Sequence, residues 1–190
     1  LVKNKVRIIA GEWRSRVLTF PDNTDVRPTP DRVRETVFNW LGQDMSGKCC
    51  LDLFAGSGAM GFEAASRGAR KVVMVESSPG VMTTLRGSSL KLGASQVELV
   101  AMEASNFIDS DARRFDVIFL DPPYRLGLLP ELLSKLHAHL ASGGLVYVEN
   151  DRLADAPAEW QVWRQGRAGK VFYQLLKSLK NGKSDLSGDF

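Results

Sequence analysis

The sequence predicts an α/β fold, a doubly wound and mostly parallel seven-stranded sheet carrying a small β-hairpin extension at its N-terminus. Three observations lead there. From residue 48 onward, strand-length apolar runs alternate with helical segments. A glycine-rich loop, "FAGSG", joins the first of these strands to the first of these helices. The last two apolar runs, "WQVWRQ" and "KVFYQLLK", follow each other around "GRAG" with no helix between them. Alternation needs crossover connections and therefore parallel pairing, whereas two consecutive strands form an antiparallel hairpin at a sheet edge.

Taken in order, "VRIIAG" and "RVLTF" read as two short strands around "GEWRSR", a basic hairpin within an extension over residues 1–26. Residues 27–180 form the main domain, and 181–190 a polar tail. "TPDRVRETVFNWLG" carries a helix start with Thr29 as N-cap and Pro30 in the first turn, an apolar face of Val33, Val37, Trp40 and Leu41, and Gly42 as the stop. Arg32 and Arg34 fall off that stripe. Strands are predicted over 48–53, 71–76, 96–100, 115–121 and 144–149, and helices over 58–67, 79–92, 103–109 and 128–141. "RGSS" weakens the helix at 79–92, since its glycine costs about 1 kcal/mol against alanine.

At 190 residues and 44% hydrophobic content the chain can bury one good core. No apolar run is long enough to cross a membrane and no signal-peptide core opens the chain, so the sequence predicts a soluble cytoplasmic protein. Cys49 and Cys50 are adjacent, so on a strand they point to opposite faces and suit neither a disulfide nor a shared metal. His137 and His139, two apart on a helix, diverge by roughly 200°. No metal site is expected. The net charge of +3 sits at the front: residues 1–40 hold eight Lys/Arg against five acids, and the rest cancels. A second basic stretch, Arg164 to Lys183, has no acid. Basic surface on a compact domain is the footprint expected for a polyanion such as nucleic acid.

"LDLFAGSGAMGFEA" places Gly56, Gly58 and Gly61 in a G-x-G-x-x-G pattern, with Glu76 closing the next strand 20 residues after Gly56. That spacing also fits a dinucleotide site. Charge decides against it, because Asp52 stands where a pyrophosphate would lie. A carboxylate there suits a cofactor with a cationic end, such as the α-ammonium and sulfonium of S-adenosylmethionine, while Glu76 can accept hydrogen bonds from ribose hydroxyls under either reading. Glu103 and Asp121 join Asp52 and Glu76 at or just past strand ends, where open α/β sheets bind ligands.

"FLDPPY" ends an apolar run on Asp121, Pro122, Pro123 and Tyr124. The prolines stiffen the backbone and bring no N–H, so the corner offers the Asp121 carboxylate and carbonyl oxygens as acceptors. It suits a ligand with N–H donors, and Tyr124 can stack on something flat.

With "RIIAGEWRSR", "VRPTPDRVRETVFNWL", "LDLFAGSGAMGFEA", Glu76, "DPPY" and "YVE" together, the sequence resembles the RsmD family, the bacterial 16S ribosomal RNA guanine-N2 methyltransferases. The likeness runs from "VRIIAG" through "VYVEN". It implies a class I methyltransferase (Rossmann-like) fold, S-adenosyl-L-methionine as donor with S-adenosyl-L-homocysteine as product, and 16S rRNA of an assembling small ribosomal subunit as substrate, acted on by a monomer. It further implies a donor site of Arg27, Thr29, Asp52, Phe54, Ala55, Gly56, Ser57, Gly58, Glu76, Ser77, Glu103, Ala104 and Asp121, a catalytic corner of Asp121, Pro122, Pro123 and Tyr124, and RNA contacts from Arg7, Trp13, Arg14, Arg16, Arg32 and Arg34. The chain departs from the family habit at Ser78 and Glu103, where Asp or Asn is commoner.

The rivals differ in class. An adenine-N6 methyltransferase acting on DNA or RNA uses the same acidic corner, although a DNA enzyme needs a target-recognition insertion that 190 residues do not hold. A glutamine methyltransferase has no use for the basic hairpin, a dehydrogenase is disfavoured by Asp52, and a non-catalytic RNA-binding module has no use for the strand-end acids.

Overall fold

A computed structural model describes residues 4–21, 28–152 and 156–180. A two-stranded antiparallel ribbon of β1 (Lys5–Arg7) and β2 (Val17–Thr19) comes first, followed by α1 (Asp31–Leu41). Then come β3 (Cys49–Asp52), α2 (Ala59–Ser66), β4 (Lys71–Glu76), α3 (Pro79–Leu92), β5 (Val97–Ala101), α4 (Ala104–Ser110), β6 (Phe115–Leu120), α5 (Leu129–Leu136), β7 (Leu140–Asn150), β8 (Trp160–Ala168) and β9 (Val171–Ser178). Seven strands form one sheet in the order β5-β4-β3-β6-β7-β9-β8. The first five pair in parallel, and β9 joins β7 and β8 antiparallel.

Each face of the sheet has its own apolar layer. Val33, Val37 and Phe38 of α1, Phe62 of α2 and Leu85 of α3 pack with Ile8, Trp13 and Leu18 of the N-terminal ribbon on one side. Phe107 of α4 and Leu132 and Leu136 of α5 cover the other side. The ribbon is therefore docked into the main core.

Two local expectations need correction. Thr29 does not cap α1: Pro30 is the N-cap residue, and the Thr29 hydroxyl is taken by a buried acid on β7. The helix expected over 128–141 ends at Leu136 and passes through a 3-10 turn, His137–His139, into a strand that starts at Leu140 rather than 144. Gly143, at φ 70, absorbs a register shift there, with Phe115 opposite Leu140 but Val117 opposite Leu145. The helix expected over 79–92 is α3, which runs unbroken through "RGSS" because its ends are well made: Ser78 accepts from the Val81 N–H, Pro79 opens the first turn and Gly93 ends the helix in the left-handed region.

The chain leaves β3 toward β4 and β5, then crosses back to β6 and β7 on the other side of β3. The carboxyl ends of β3 and β6 thus form the switch point, where a crevice opens for ligands.

Candidate active site

Asp52 ends β3 and is almost fully buried. Its Oδ2 accepts the Gly61 N–H at 2.9 Å, satisfying a donor in the first turn of α2 and fixing the loop between. Burial, reinforced by the charge of Glu76, pushes its carboxyl up to about 7. At Gly58, φ is 79 and an added Cβ would lie 2.5 Å from the Phe62 ring, so only glycine lets the loop turn into the helix there. Ala55 donates to the Val75 carbonyl at 2.9 Å, and the Ser57 hydroxyl accepts the Ala59 N–H at 3.3 Å. Phe54 is half-buried beside this loop.

Glu76 ends β4 with its carboxylate already held. Oε2 accepts the Gly56 N–H at 3.0 Å and Oε1 the Ser78 N–H at 2.8 Å, which ties two strand-end loops together. Ser77 and Glu103 are exposed, and Ala104 is buried at the start of α4. All of these stand on the carboxyl edge of the sheet.

Asp121 follows β6 directly and is half-buried. Among the described residues, no donor reaches its carboxylate. Leu120 pairs with Val148, so the next residue along, Glu149, comes to lie beside Asp121. Burial above all, then the charges of Glu149 and Asp52, hold the Asp121 carboxyl well above the usual carboxylate range. The Pro123 carbonyl accepts the Leu126 N–H at 3.0 Å, whereas the Pro122 carbonyl accepts none among the described residues. Among the described residues the corner thus presents two acceptors without donors, the Asp121 carboxylate and the Pro122 oxygen. The Tyr124 side chain and Arg27 lie outside the described residues.

Glu149 is the site residue that sequence reasoning missed. Its signal was available: "LVYVEN" ends an apolar strand on an acid, just as "FLDPPY" does. It is 5% exposed, and its Oε2 accepts the Thr29 hydroxyl at 3.1 Å and the Tyr147 hydroxyl at 2.8 Å. Thr29 is thereby brought to the site edge from the far end of the sequence.

Two of the expected RNA contacts are corrected by burial. Arg34 is 0% exposed; its guanidinium donates to Glu63 at 3.1 Å, the Arg7 carbonyl at 2.8 Å, the Thr29 carbonyl at 3.2 Å and Asp31. Glu63 in turn accepts from Ile9 N–H (2.9 Å), Ala10 N–H (3.0 Å) and Arg67 (2.9 Å). An arginine off the apolar stripe can be buried when a saturated carboxylate waits for it, and Arg34 clamps the ribbon to the domain. Trp13 is 6% exposed, packed in the core with its N–H on Ser66 Oγ at 2.9 Å.

Arg7, Arg14, Arg16 and Arg32 are exposed. Arg14 and Arg16 nonetheless stand far from the corner. Trp13 bonds the C-terminal end of α2, and the Arg16 guanidinium reaches the Lys91 carbonyl at the C-terminal end of α3, 3.4 Å away. Both helix ends lie at the amino edge of the sheet, a helix length of roughly 12 Å below the acids. A groove of about 410 Å³ runs between the ribbon and Pro28–Asp31, lined by none of the strand-end acids.

A family model described as conserved hypothetical protein 95 matches residues 6–177. The ribosomal RNA small subunit methyltransferase D of Escherichia coli (strain K12) is 40% identical over 186 residues, covering 95% of this chain and 94% of that protein. A solved Escherichia coli structure described as a methyltransferase, yhhF, superposes with a TM-score of 0.83 at 40% identity, over 92% of this chain and 98% of that one. An RNA methyltransferase of Salinibacter ruber, solved with S-adenosyl-L-homocysteine, shares the fold at 20% identity and a TM-score of 0.63, over 78% of this chain and 92% of that one.

Proposed function

We propose a function from one premise: this chain belongs to the ribosomal RNA small subunit methyltransferase D family. It is an S-adenosylmethionine-dependent methyltransferase, and the target we assign is the exocyclic N2 amino group of a guanine in 16S rRNA, met in a small-subunit particle by a cytoplasmic monomer.

The observation that carries this reading is the pair of acceptors at the corner that meet no donor among the described residues, the Asp121 carboxylate and the Pro122 carbonyl. The residues present fit the donor as well. Glu76, held by Gly56 and Ser78, can accept from ribose hydroxyls, and Asp52 puts a carboxylate where a cationic end would lie. When bound, S-adenosylmethionine supplies an electrophilic methyl group and a neutral leaving group.

The chain's own part is positioning and charge. A guanine amino nitrogen is a weak nucleophile because its lone pair is delocalised into the ring. Asp121 and Pro122 accept its two N–H bonds and turn the lone pair out of the ring plane toward the methyl group. As the nitrogen becomes cationic, the fixed carboxylate stabilises it, and Asp121 Oδ is placed to take the departing proton. Its raised proton affinity suits that task. Tyr124 is the residue we assign to stack on the base, which must first leave its own stack at a cost of a few kcal/mol. Residues 1–26 we read as an extension to the methyltransferase domain at 27–180, with Arg7, Arg14, Arg16 and Arg32 as outlying RNA contacts.

The test uses small-subunit particles lacking the modification and methyl-labelled donor, followed by RNA digestion and mass spectrometry of the nucleosides. N2-methylguanosine is the expected product; N6-methyladenosine, or no transfer, would overturn the assignment.

A further inference from the structure

Cations cluster at two places, and only one of them adjoins the reacting edge. The antiparallel register sets Asn150 opposite Phe172 and Glu149 opposite Tyr173, so the turn between β8 and β9 stands at the carboxyl edge of the sheet. Arg167 pairs with Phe172 and Arg164 with Leu175, while Lys170 sits in the turn itself. From β6, which Asp121 directly follows, to β8 is three strand spacings, about 14 Å. The exposed Arg14 and Arg16 lie at the opposite edge.

Position together with unpaired charge sets this hairpin apart, since some cations elsewhere are neutralised and others stand away from the carboxyl edge. Lys71 and Arg113 share Glu98 (2.9 and 3.0 Å), Lys135 meets Asp109 (2.8 Å) and Lys180 meets Glu159 (2.8 Å), whereas Arg14 and Arg16 at the opposite edge, like Arg32, Arg86 and Arg114, have no acid partner among the described residues. Among the described residues Arg164, Arg167 and Lys170 have no acid partner. Two of them are extended along rings instead, Arg164 over Trp163 and Arg167 over Phe172, each 4.8 Å from the centroid. Arg167 Nε donates to the Gly169 carbonyl at 2.8 Å and Arg164 Nη1 to the Trp163 carbonyl at 3.4 Å, and a guanidinium lying flat on a ring still has further N–H donors to offer a phosphate. Edge strands often carry charge to block pairing with another chain, which accounts for a cation on β8. It does not account for Lys170 in the turn, or for the absence of any acid from Trp160 to Ser178.

We infer that the β8–β9 hairpin is a second RNA-contact surface, in which Arg164, Arg167 and Lys170 bind phosphates flanking a base seated at Asp121. The inference rests on the RNA-methyltransferase reading above. The acids at the carboxyl edge repel a phosphate backbone, and cations beside them offset that repulsion where the strand must pass. The backbone runs across the end of the sheet and over this edge.

The test compares wild type, R164A/R167A/K170A, the charge-conserving R164K/R167K, and R14A/R16A. Binding to unmodified small-subunit particles is measured against salt, donor affinity by calorimetry, and oligomeric state by light scattering. The alanine triple is expected to keep donor affinity, bind particles more weakly, and lower the slope of log K against log salt by about 2 to 3, one ion released per phosphate contact. The lysine variant should recover most of that slope, which a misfolded hairpin could not do. Wild-type slope in the alanine triple, or self-association as its sole change, would reduce these cations to edge protection and overturn the inference while particle methylation by wild type leaves the enzyme reading standing. A wild type that neither binds nor methylates particles removes both.

Discussion

Glu63 and Asp121 are both carboxylates set into the protein, and they are treated in opposite ways. Glu63 accepts from two arginines and two backbone N–H groups, so it costs the fold nothing in unmet hydrogen bonds. Asp121 receives no donor from the described residues and faces two further acids, Glu149 and Asp52. Removing a charge from water without partners costs several kcal/mol. On the proposed reading, a fold that saturates one carboxylate and leaves the other without a donor among the described residues carries that cost for the sake of a ligand, the N–H groups of a substrate amine supplying what the second lacks. The same contrast separates Arg34, which belongs to the architecture, from Arg167, which has no acid partner among the described residues.

The contrast can be broken by substitution. The largest effect is expected at the saturated acid: Arg34→Met leaves Glu63 buried with part of its shell gone and should cost about 3 to 5 kcal/mol of stability in denaturant melts. A loss below 1 kcal/mol would mean that the clamp is ornamental. Asp121→Ala should do the reverse, leaving stability within about 1 kcal/mol while single-turnover methyl transfer falls by on the order of 10² to 10³ or more. Normal turnover would remove Asp121 from the chemistry. Glu76→Ala is expected to weaken donor binding by roughly 1.5 to 3 kcal/mol, read by calorimetry. Part of that loss reflects the Gly56 and Ser78 loops that Glu76 holds in place.

The smallest effect sharpens the comparison through pH. The folded protein holds a proton on Asp52 up to about 7, whereas the unfolded chain has released it near the ordinary value of 3.8. The folded state therefore binds more protons in that window, and the stability of the donor-free protein falls as pH rises from about 4 to 7. Donor affinity should move the other way, since a cationic ligand favours the ionised carboxylate. Asp52→Asn is expected to flatten both dependences in thermal melts and calorimetry between pH 5 and 8; unchanged slopes would assign them to another group.

Much of this was legible because strand-sized apolar runs end on acids. Asp52, Glu76 and Asp121 all reach the edge to which the alternation of strand and helix assigned them. What escaped depends on contacts distant in sequence. Nothing near Arg34 announces Glu63, and a buried ion pair looks in sequence like two surface charges. Thr29 looks like a cap until Glu149, 120 residues away, takes its hydroxyl. The hairpin's basic tip was legible as charge but not as position: its placement at the amino edge is decided by Ser66 and Lys91, residues with no signature of their own.

The strand order has a temporal consequence. β9, made after the other eight strands, lies inside the sheet between β7 and β8 rather than at its rim. During synthesis β7, the strand bearing Glu149, therefore keeps an open side until Val171–Ser178 has emerged and slipped into place. The acidic corner and its Thr29 lock are assembled from opposite ends of the chain, so a nascent polypeptide carries the parts of a methyltransferase long before it carries a working one.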